Sequence, residues 1–354
     1  MKNILVVNVN WIGDVVFSLP VFSALRRQYP EARICCMAVP RVVPILEHCP
    51  AIDEVIVYDE RGAQRWLWQK FLFVLRLRKY HFDIAFLLHR SWTRAFLIYL
   101  AGIRKRVGYD LKDLGRLLTH KVELPEGIVH RSDYYLHVLE SYGIPVEDRV
   151  SALIPDAAAR SQMDSFLALK GVGNSDFLVV VNVGGNWDLK RWPKDYFVML
   201  VERLMRELKA KVIIPGSPSD VALAEEIRER SGFPAIVLAG KTSLSQLLAL
   251  MSRADLVISS DSGPLHIASG VGASVIGLFG PTRPEITGPR GKGRSVILQN
   301  ALPCNQRACY QLDCPNNRCM KSVSVDEVMI EVQKIYREWQ RRANQGDEGK
   351  ERGR

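Results

Sequence analysis

The sequence predicts an α/β protein of two domains, each built on a parallel sheet, and three observations carry that prediction. At 354 residues the chain is long for one hydrophobic core and comfortable for two. Short β-branched apolar runs alternate with helical segments along most of its length, as βαβ units require. Run after run ends in a small or hydroxyl-bearing loop, and in an open parallel sheet such loops gather on the edge where ligands bind. The composition, 47% hydrophobic and 24% charged, is that of a globular protein and excludes a disordered or fibrous chain.

The first phrase is a strand at 4–9, a loop Asn10-Trp11-Ile12-Gly13-Asp14, and a helix at 15–29 with Val16, Leu19, Phe22 and Leu25 at helical spacing. Pro20 falls early in that helix, where it is better tolerated than in the middle. Asp14 stands at the loop-helix junction, where the helix dipole stabilises a carboxylate, so a capping role accounts for it unaided. Strands at 33–38, 54–58 and 84–88 follow, separated by helical segments. The stretch 66–80, WLWQKFLFVLRLRKY, is aromatic and basic at once. It has two readings: a helix packed on the sheet with solvated cations, or a helix lying on an anionic membrane surface through Lys70, Arg76, Arg78 and Lys79. Arg90, Arg94, Arg104, Lys105, Arg106, Lys112, Arg116 and Lys121 form a second basic region in the same half.

The pattern loosens around 145–175, where one helical piece occupies 157–169. The expected division is an N-terminal domain at 1–165, a C-terminal domain at 166–343 and a disordered tail at 344–354. A second β-branched strand at 177–183 ends in Gly184-Gly185-Asn186-Trp187, and after Lys190-Arg191-Trp192 a helix runs from Pro193 to Leu208. The phrase repeats at 212–214 with Gly216-Ser217-Pro218-Ser219-Asp220, and at 235–238 with Gly240-Lys241-Thr242-Ser243. It ends with a strand at 256–258 running into Ser259-Ser260-Asp261-Ser262-Gly263, a short helix from His266, and a strand at 274–279. That last loop has two readings. It is an anion cradle, with Asp261 accepting from hydroxyls, Ser262 and the Gly263 N–H donating to phosphate and His266 on an exposed lip, or it is an ordinary turn capped by Asp261. A last amphipathic helix is expected at 323–342.

The net charge of +10 favours an anionic partner: nucleic acid, a phosphorylated sugar or an anionic membrane face. No RNP-like motif or helix-turn-helix signature supports nucleic acid. The closest approach to a long uncharged apolar run, at 84–103, is interrupted by His89, Arg90 and Arg94, so a membrane-spanning helix is not expected. Without a signal-peptide pattern at the start, the expectation is a cytoplasmic protein. Seven cysteines, an odd number, then read as thiols rather than disulfides. Cys304, Cys309, Cys314 and Cys319 recur every fifth residue, and four thiolates suit zinc. Zinc knuckles use tighter pairs, so reduced thiols and no metal are expected.

Four phrases in combination bring in a family. NWIGDVVFSLPVFSALRRQYP (10–30), KRWPKDYF (190–197), AGKTSLSQLLALMSRADLVISSDSGPLHIASGVGASVIGLFGPTRPEITGP (239–289) and the cysteine-bearing run 304–320 resemble glycosyltransferase family 9, the ADP-heptose:lipopolysaccharide heptosyltransferases. The loop NWIGD and the stretch 89–109 resemble the heptosyltransferase II branch most. The resemblance implies two Rossmann-like domains facing across a cleft, the glycosyltransferase B fold. It implies transfer of heptose from ADP-heptose to a lipid A-core acceptor, with inversion and no cofactor, at the cytoplasmic face of the inner membrane. Asp14 matches the family's catalytic carboxylate and Lys190 its lysine for the donor phosphates. Asp261, Ser262, Gly263 and His266 match its donor loop, and Asp220 is matched to its adenosine-side carboxylate. Asn10, Trp11, Gly13, Arg90 and Arg94 are the expected acceptor-side residues. Within the family the alternative to adding the second heptose is heptosyltransferase I or III activity; the wider rivals are another nucleotide-sugar transferase or epimerase of the same architecture, and a basic nucleic-acid-binding protein.

Overall fold

The computed structural model describes residues 1–351 except 186, 301–308, 310–313 and 315, and for 112, 113 and 345–351 the backbone alone. The chain divides into two compact units, Met1–Ile154 and Pro155–Arg354. The division precedes the expected one at 165, which would have cut a helix. That helix, Ala157–Leu169, is capped by Asp156, whose carboxylate accepts from the Ala159 N–H at 2.6 Å, and it belongs whole to the second unit.

Unit 1 holds β1 (Asn3–Val7), α1 (Ile12–Gln28), β2 (Arg33–Ala38), α2 (Val43–Leu46), β3 (Glu54–Val57), α3 (Leu67–Arg78), β4 (Ile84–Leu87), α4 (Trp92–Leu100), β5 (Lys105–Tyr109), β6 (His120–Val122) and α5 (Arg131–Glu140). The sheet runs β3-β2-β1-β4-β5-β6, and every recorded pairing is parallel, with Ile4 beside both Ile34 and Ile84. Strands covered on both faces cannot alternate polar and apolar residues, and Ile4 to Val7 and Ile84 to Leu87 are all buried. The core on one side gathers Leu5, Val7, Met37, Phe73, Leu77, Leu87 and Ile98.

Helix α1 begins at Ile12, three residues earlier than expected, so Pro20 sits in its middle rather than its first turns. A proline there removes the N–H that would bond the carbonyl four residues back. That carbonyl belongs to Val16, and the buried Ser151 hydroxyl donates to it at 2.7 Å. The gap is filled from the far end of the unit.

Unit 2 holds α6 (Ala157–Leu169), β7 (Leu178–Asn182), α7 (Lys194–Leu208), β8 (Lys211–Ile214), α8 (Val221–Ser231), β9 (Ile236–Val237), α9 (Leu244–Arg253), β10 (Leu256–Ser260), α10 (Gly263–Gly270), β11 (Val275–Leu278), α11 (Pro284–Thr287), β12 (Ser295–Leu298), α12 (Arg318–Lys321) and α13 (Val325–Glu351). The sheet order is β12-β11-β10-β7-β8-β9, again parallel. Read from β9 it repeats the order of unit 1 strand for strand. Pro193 is the cap of α7 rather than its first residue, and the αL residue Lys209 ends it. Helix α13 passes the expected stop at 342 and runs to Glu351; no proline interrupts it, and extending a helix costs less than starting one. The Trp192 indole donates to the Val323 carbonyl at 2.8 Å and ties the approach to α13 onto the core. No described helix is long and apolar enough to cross a membrane.

Candidate active site

In this strand order the direction of winding reverses between β1 and β4, and between β7 and β10. Loops on either side of such a reversal part and leave a crevice beyond the carboxyl ends of the strands. The loops in question follow β1 and β4 in unit 1, and β7 and β10 in unit 2. They carry Asn10 and Trp11, with Asp14 in the helix turn that follows, and His89-Arg90 in unit 1, and Gly184-Gly185, Trp187 to Lys190 and Asp261-Ser262 in unit 2.

In unit 2 the organising group is Asp261, only 3% exposed. Its Oδ2 accepts from Lys190 Nζ at 2.9 Å and from the Thr287 hydroxyl at 3.2 Å, and its Oδ1 lies 3.1 Å from His266 Nε2. Burial alone would raise the carboxyl's pKa. The hydrogen bond and charge of His266, joined by the ammonium of Lys190, outweigh burial and hold it well below the usual carboxylate range. His266 is 3% exposed as well, so it is not on an exposed lip, and Asp261 has its oxygens committed to protein partners rather than open to hydroxyls. The apolar flanks Leu265 and Ile267 pull the first turns of α10 into the core, and the imidazole goes in with them. What remains open is Lys190, whose side chain is 24% exposed and whose ammonium lies 5.6 Å from the Trp187 ring centre.

Ser262 caps α10 with extended backbone, and its hydroxyl lies 3.0 Å from that of Ser259 and 3.3 Å from Asn182 Nδ2. Pro264 has no N–H, and the amides of Leu265 and His266 donate to the Ser262 carbonyl. An anion at this helix start would therefore meet the Gly263 N–H and Lys190 rather than a full turn of amides. Asp220 is 7% exposed and turns inward, with Oδ2 accepting from the Ser217 N–H at 2.8 Å and its hydroxyl at 2.5 Å. It also fills the space above two glycines. A Cβ at Gly184 would lie 2.5 Å from Asp220 Oδ2, and one at Gly216 would lie 2.8 Å from the Asp220 Cβ. Asp220 thus builds the loop between β8 and α8, as a capping carboxylate.

In unit 1 Asp14 occupies the first turn of α1 with 29% of its side chain exposed. The Tyr135 hydroxyl donates to its Oδ1 at 3.1 Å, and Arg131 Nε stands 3.9 Å away. Both partners come from α5, which packs on α1; sequence reading passed over them because nothing near Asp14 in the chain points to residues 131–135. Burial first, and the Asp14 charge second, push the Tyr135 hydroxyl's pKa well above its ordinary value, so it stays a donor.

Trp11 caps α1, is 58% exposed and carries the Arg41 guanidinium 4.2 Å above its ring. Gly13 lies within the first turn. Asn10 Nδ2 is 3.0 Å from His89 Nε2, while Asn10 Oδ1 and His89 Nδ1 are buried without a hydrogen-bond partner among the described residues. Burial and the nearby Arg94 charge push the His89 pKa down to about 4, so the ring is neutral at neutral pH. Arg90 is an exposed residue whose guanidinium donates to the Tyr134 hydroxyl at 2.7 Å.

Arg94 corrects the expectation. It is 1% exposed, donates from Nη1 to the Asn8 carbonyl at 3.1 Å and faces Glu60 at 3.7 Å. Its helical position turns it under the end of β1, where it braces the loop and does not face an acceptor. Arg106 is likewise spent on the carbonyls of Ile103 and Leu117, both at 2.5 Å. No group of three or more metal-binding side chains occurs among the described residues; Cys304 and Asn186 lie outside them.

The sequence profile of glycosyltransferase family 9 (heptosyltransferase) matches residues 72–315. Lipooligosaccharide heptosyltransferase 2 of Haemophilus ducreyi is 29% identical over 311 residues, covering 83% of this chain and 88% of that protein. Two solved structures share the fold: a family 9 glycosyl transferase of Veillonella parvula (TM-score 0.85, 24% identity, 95% and 97% of the two chains) and Escherichia coli ADP-heptose lps heptosyltransferase II (TM-score 0.79, 21% identity, 96% and 100%).

Proposed function

The chain belongs to glycosyltransferase family 9 (heptosyltransferase), a family of lipopolysaccharide-building glycosyltransferases, and from that premise we propose which transfer it performs. It moves heptose from ADP-L-glycero-D-manno-heptose onto heptosyl-Kdo2-lipid A, adding the second heptose of the inner core with inversion. The names of the lipooligosaccharide heptosyltransferase 2 relative and of the heptosyltransferase II structure support that position. The reaction takes place at the cytoplasmic face of the inner membrane, where its lipid-linked acceptor lies, and asks for no cofactor beyond the donor.

The observation that carries this reading is Lys190, an ammonium held by a buried carboxylate at the crevice of unit 2 and open on its other side. Breaking the bond between anomeric carbon and ADP leaves an electron pair on the diphosphate, and a fixed cation stabilises that charge without having to reorganise. Lys190 supplies it, with the Gly263 N–H beside it. Asp14 takes the proton of the attacking acceptor hydroxyl as the new bond forms on the opposite face of the sugar. A carboxylate suits that task when it is partly solvated and fixed in direction, and Tyr135 and Arg131 fix it. Asn10 Oδ1 and His89 Nδ1, buried and without partners among the described residues, suit acceptor hydroxyls, since such groups call for a ligand or water.

Purified protein incubated with ADP-heptose and defined truncated lipopolysaccharides tests this by product mass. A gain of one heptose on the acceptor that already carries the first is expected. A gain only on the heptose-free acceptor makes it the first transferase, and a gain only on a core carrying both makes it a third. Transfer from UDP-sugars, or release of an epimerised sugar without transfer, overturns the reading.

A further inference from the structure

We propose that the outward face of α3 docks unit 1 onto the surface of an anionic lipid bilayer. This deepens the reading of a lipid-linked acceptor and rests on it. Helix α3 is apolar on two sides. Phe73, Val74 and Leu77 are buried in the core of unit 1, which is what a helix on a sheet requires. Leu67, Trp68, Phe71, Leu72 and Leu75 recur at alternating steps of one and three along the opposite side, and they are 83%, 61%, 61%, 52% and 36% exposed. Single apolar residues on a surface are ordinary, but a continuous stripe of this kind calls for a cover. A second apolar side on a helix calls for a core or a lipid boundary, and the core takes only one side of α3. Neighbouring α4 adds Trp92 and Tyr99, each 50% exposed.

The charges select the cover. Residues 61–80 contain six Lys and Arg and no Asp or Glu. A second copy meeting this face about a two-fold axis would set like charges against each other, whereas anionic headgroups complement them. At the carboxyl ends of α3 and α4 lies a cavity of about 690 Å³, lined among others by Lys2, Arg78, Arg104 and Lys105, with Asp83 its only carboxylate. It offers headgroup phosphates a cationic seat beside the stripe. Tryptophan and phenylalanine flanked by cations match the boundary between headgroups and acyl chains, where an amphipathic helix lies flat.

Co-sedimentation of the intact protein with vesicles tests this. Binding to phosphatidylcholine vesicles containing phosphatidylglycerol, weak binding to pure phosphatidylcholine, and release by salt are expected. The double substitution Trp68→Ser, Phe71→Ser lowers partitioning about tenfold or more. Arg65→Gln, Lys70→Gln and Lys79→Gln together remove the preference for the anionic vesicles, at about fivefold per charge. Both variants melt like the parent and transfer heptose to a delipidated acceptor at the parent rate, so loss of docking is distinct from loss of fold or chemistry. If the parent binds vesicles but transfers no heptose, the functional reading fails while the docking stands. Equal binding to both vesicle types, or binding that ignores both variants, overturns the proposal. So does a parent dimer in light scattering that the double substitution splits, since the cover would then be a second copy.

Discussion

The two units share one strand order and place their charged groups at the same reversal of winding, yet they treat those groups in opposite ways. Unit 2 buries its carboxylate. Asp261 has ion-pair and hydrogen-bond partners on both oxygens, and taking it out of water costs several kcal/mol that Lys190, His266 and Thr287 must offset. Unit 1 leaves Asp14 partly in water and aims it with one hydroxyl and one cation. The first arrangement fixes a positive charge in place; the second keeps a proton acceptor available. A transfer that must both accept a proton and stabilise a departing diphosphate needs one of each.

Substitutions at the two carboxylates should therefore separate activity from stability. Asp14→Ala is expected to lower kcat about a thousandfold while lowering unfolding free energy by only about 1 kcal/mol, the cost of leaving the Tyr135 hydroxyl unpaired, measured by single-turnover transfer and urea unfolding. Comparable losses of stability at both carboxylates would break the comparison. Asp261→Asn should lower stability by about 3 kcal/mol, because it leaves the Lys190 ammonium without its counter-charge, and should raise the KM for the donor. The effect has a sign in pH. The Asp261 carboxyl's pKa is depressed in the folded protein, so its contribution is present above the ordinary carboxylate pKa and is lost as pH falls through the lower folded value. The gap in unfolding free energy between parent and Asp261→Asn should hold from neutral pH down to about 4 and close below it. The smallest effect is expected at Tyr135→Phe, which removes one hydrogen bond to Asp14: about a fivefold loss in kcat with donor KM unchanged. If donor KM moves as much as kcat, Tyr135 serves the shape of the unit and not the aim of the carboxylate.

Strands 33–38 and 84–88, the helix at 157–169 and the glycine-bearing loops were legible in the sequence because apolar runs and turn residues are local signals. The Asp261 loop was legible as charged, but its interior character was not. Burial of His266 depends on which side α10 turns to the sheet, and four polar letters in a row do not record that. Arg94 illustrates the same limit, since a cation in a basic stretch reads as surface until the end of β1 closes over it. Tyr135 and Arg131 were illegible for another reason. Their meaning lies in α5 meeting α1, a pairing set by tertiary packing. Helix α3 was half legible: one of its two apolar sides packs as a sheet-facing helix should, and the other had no partner in the sequence to predict.

The inward turn of Asp220 has a consequence for how this chain can vary. Gly184 and Gly216 look like residues kept small for a nucleotide, yet the atom each would strike belongs to Asp220. Enlarging either glycine displaces the residue that closes the Ser217 turn, and shortening Asp220 opens that turn while freeing the space over Gly184 alone, since Gly216 faces the Asp220 Cβ. The three positions are therefore sterically coupled: a side chain at Gly184 needs the Asp220 carboxylate gone, one at Gly216 needs the backbone of the turn to shift, and either change needs another way to hold the turn.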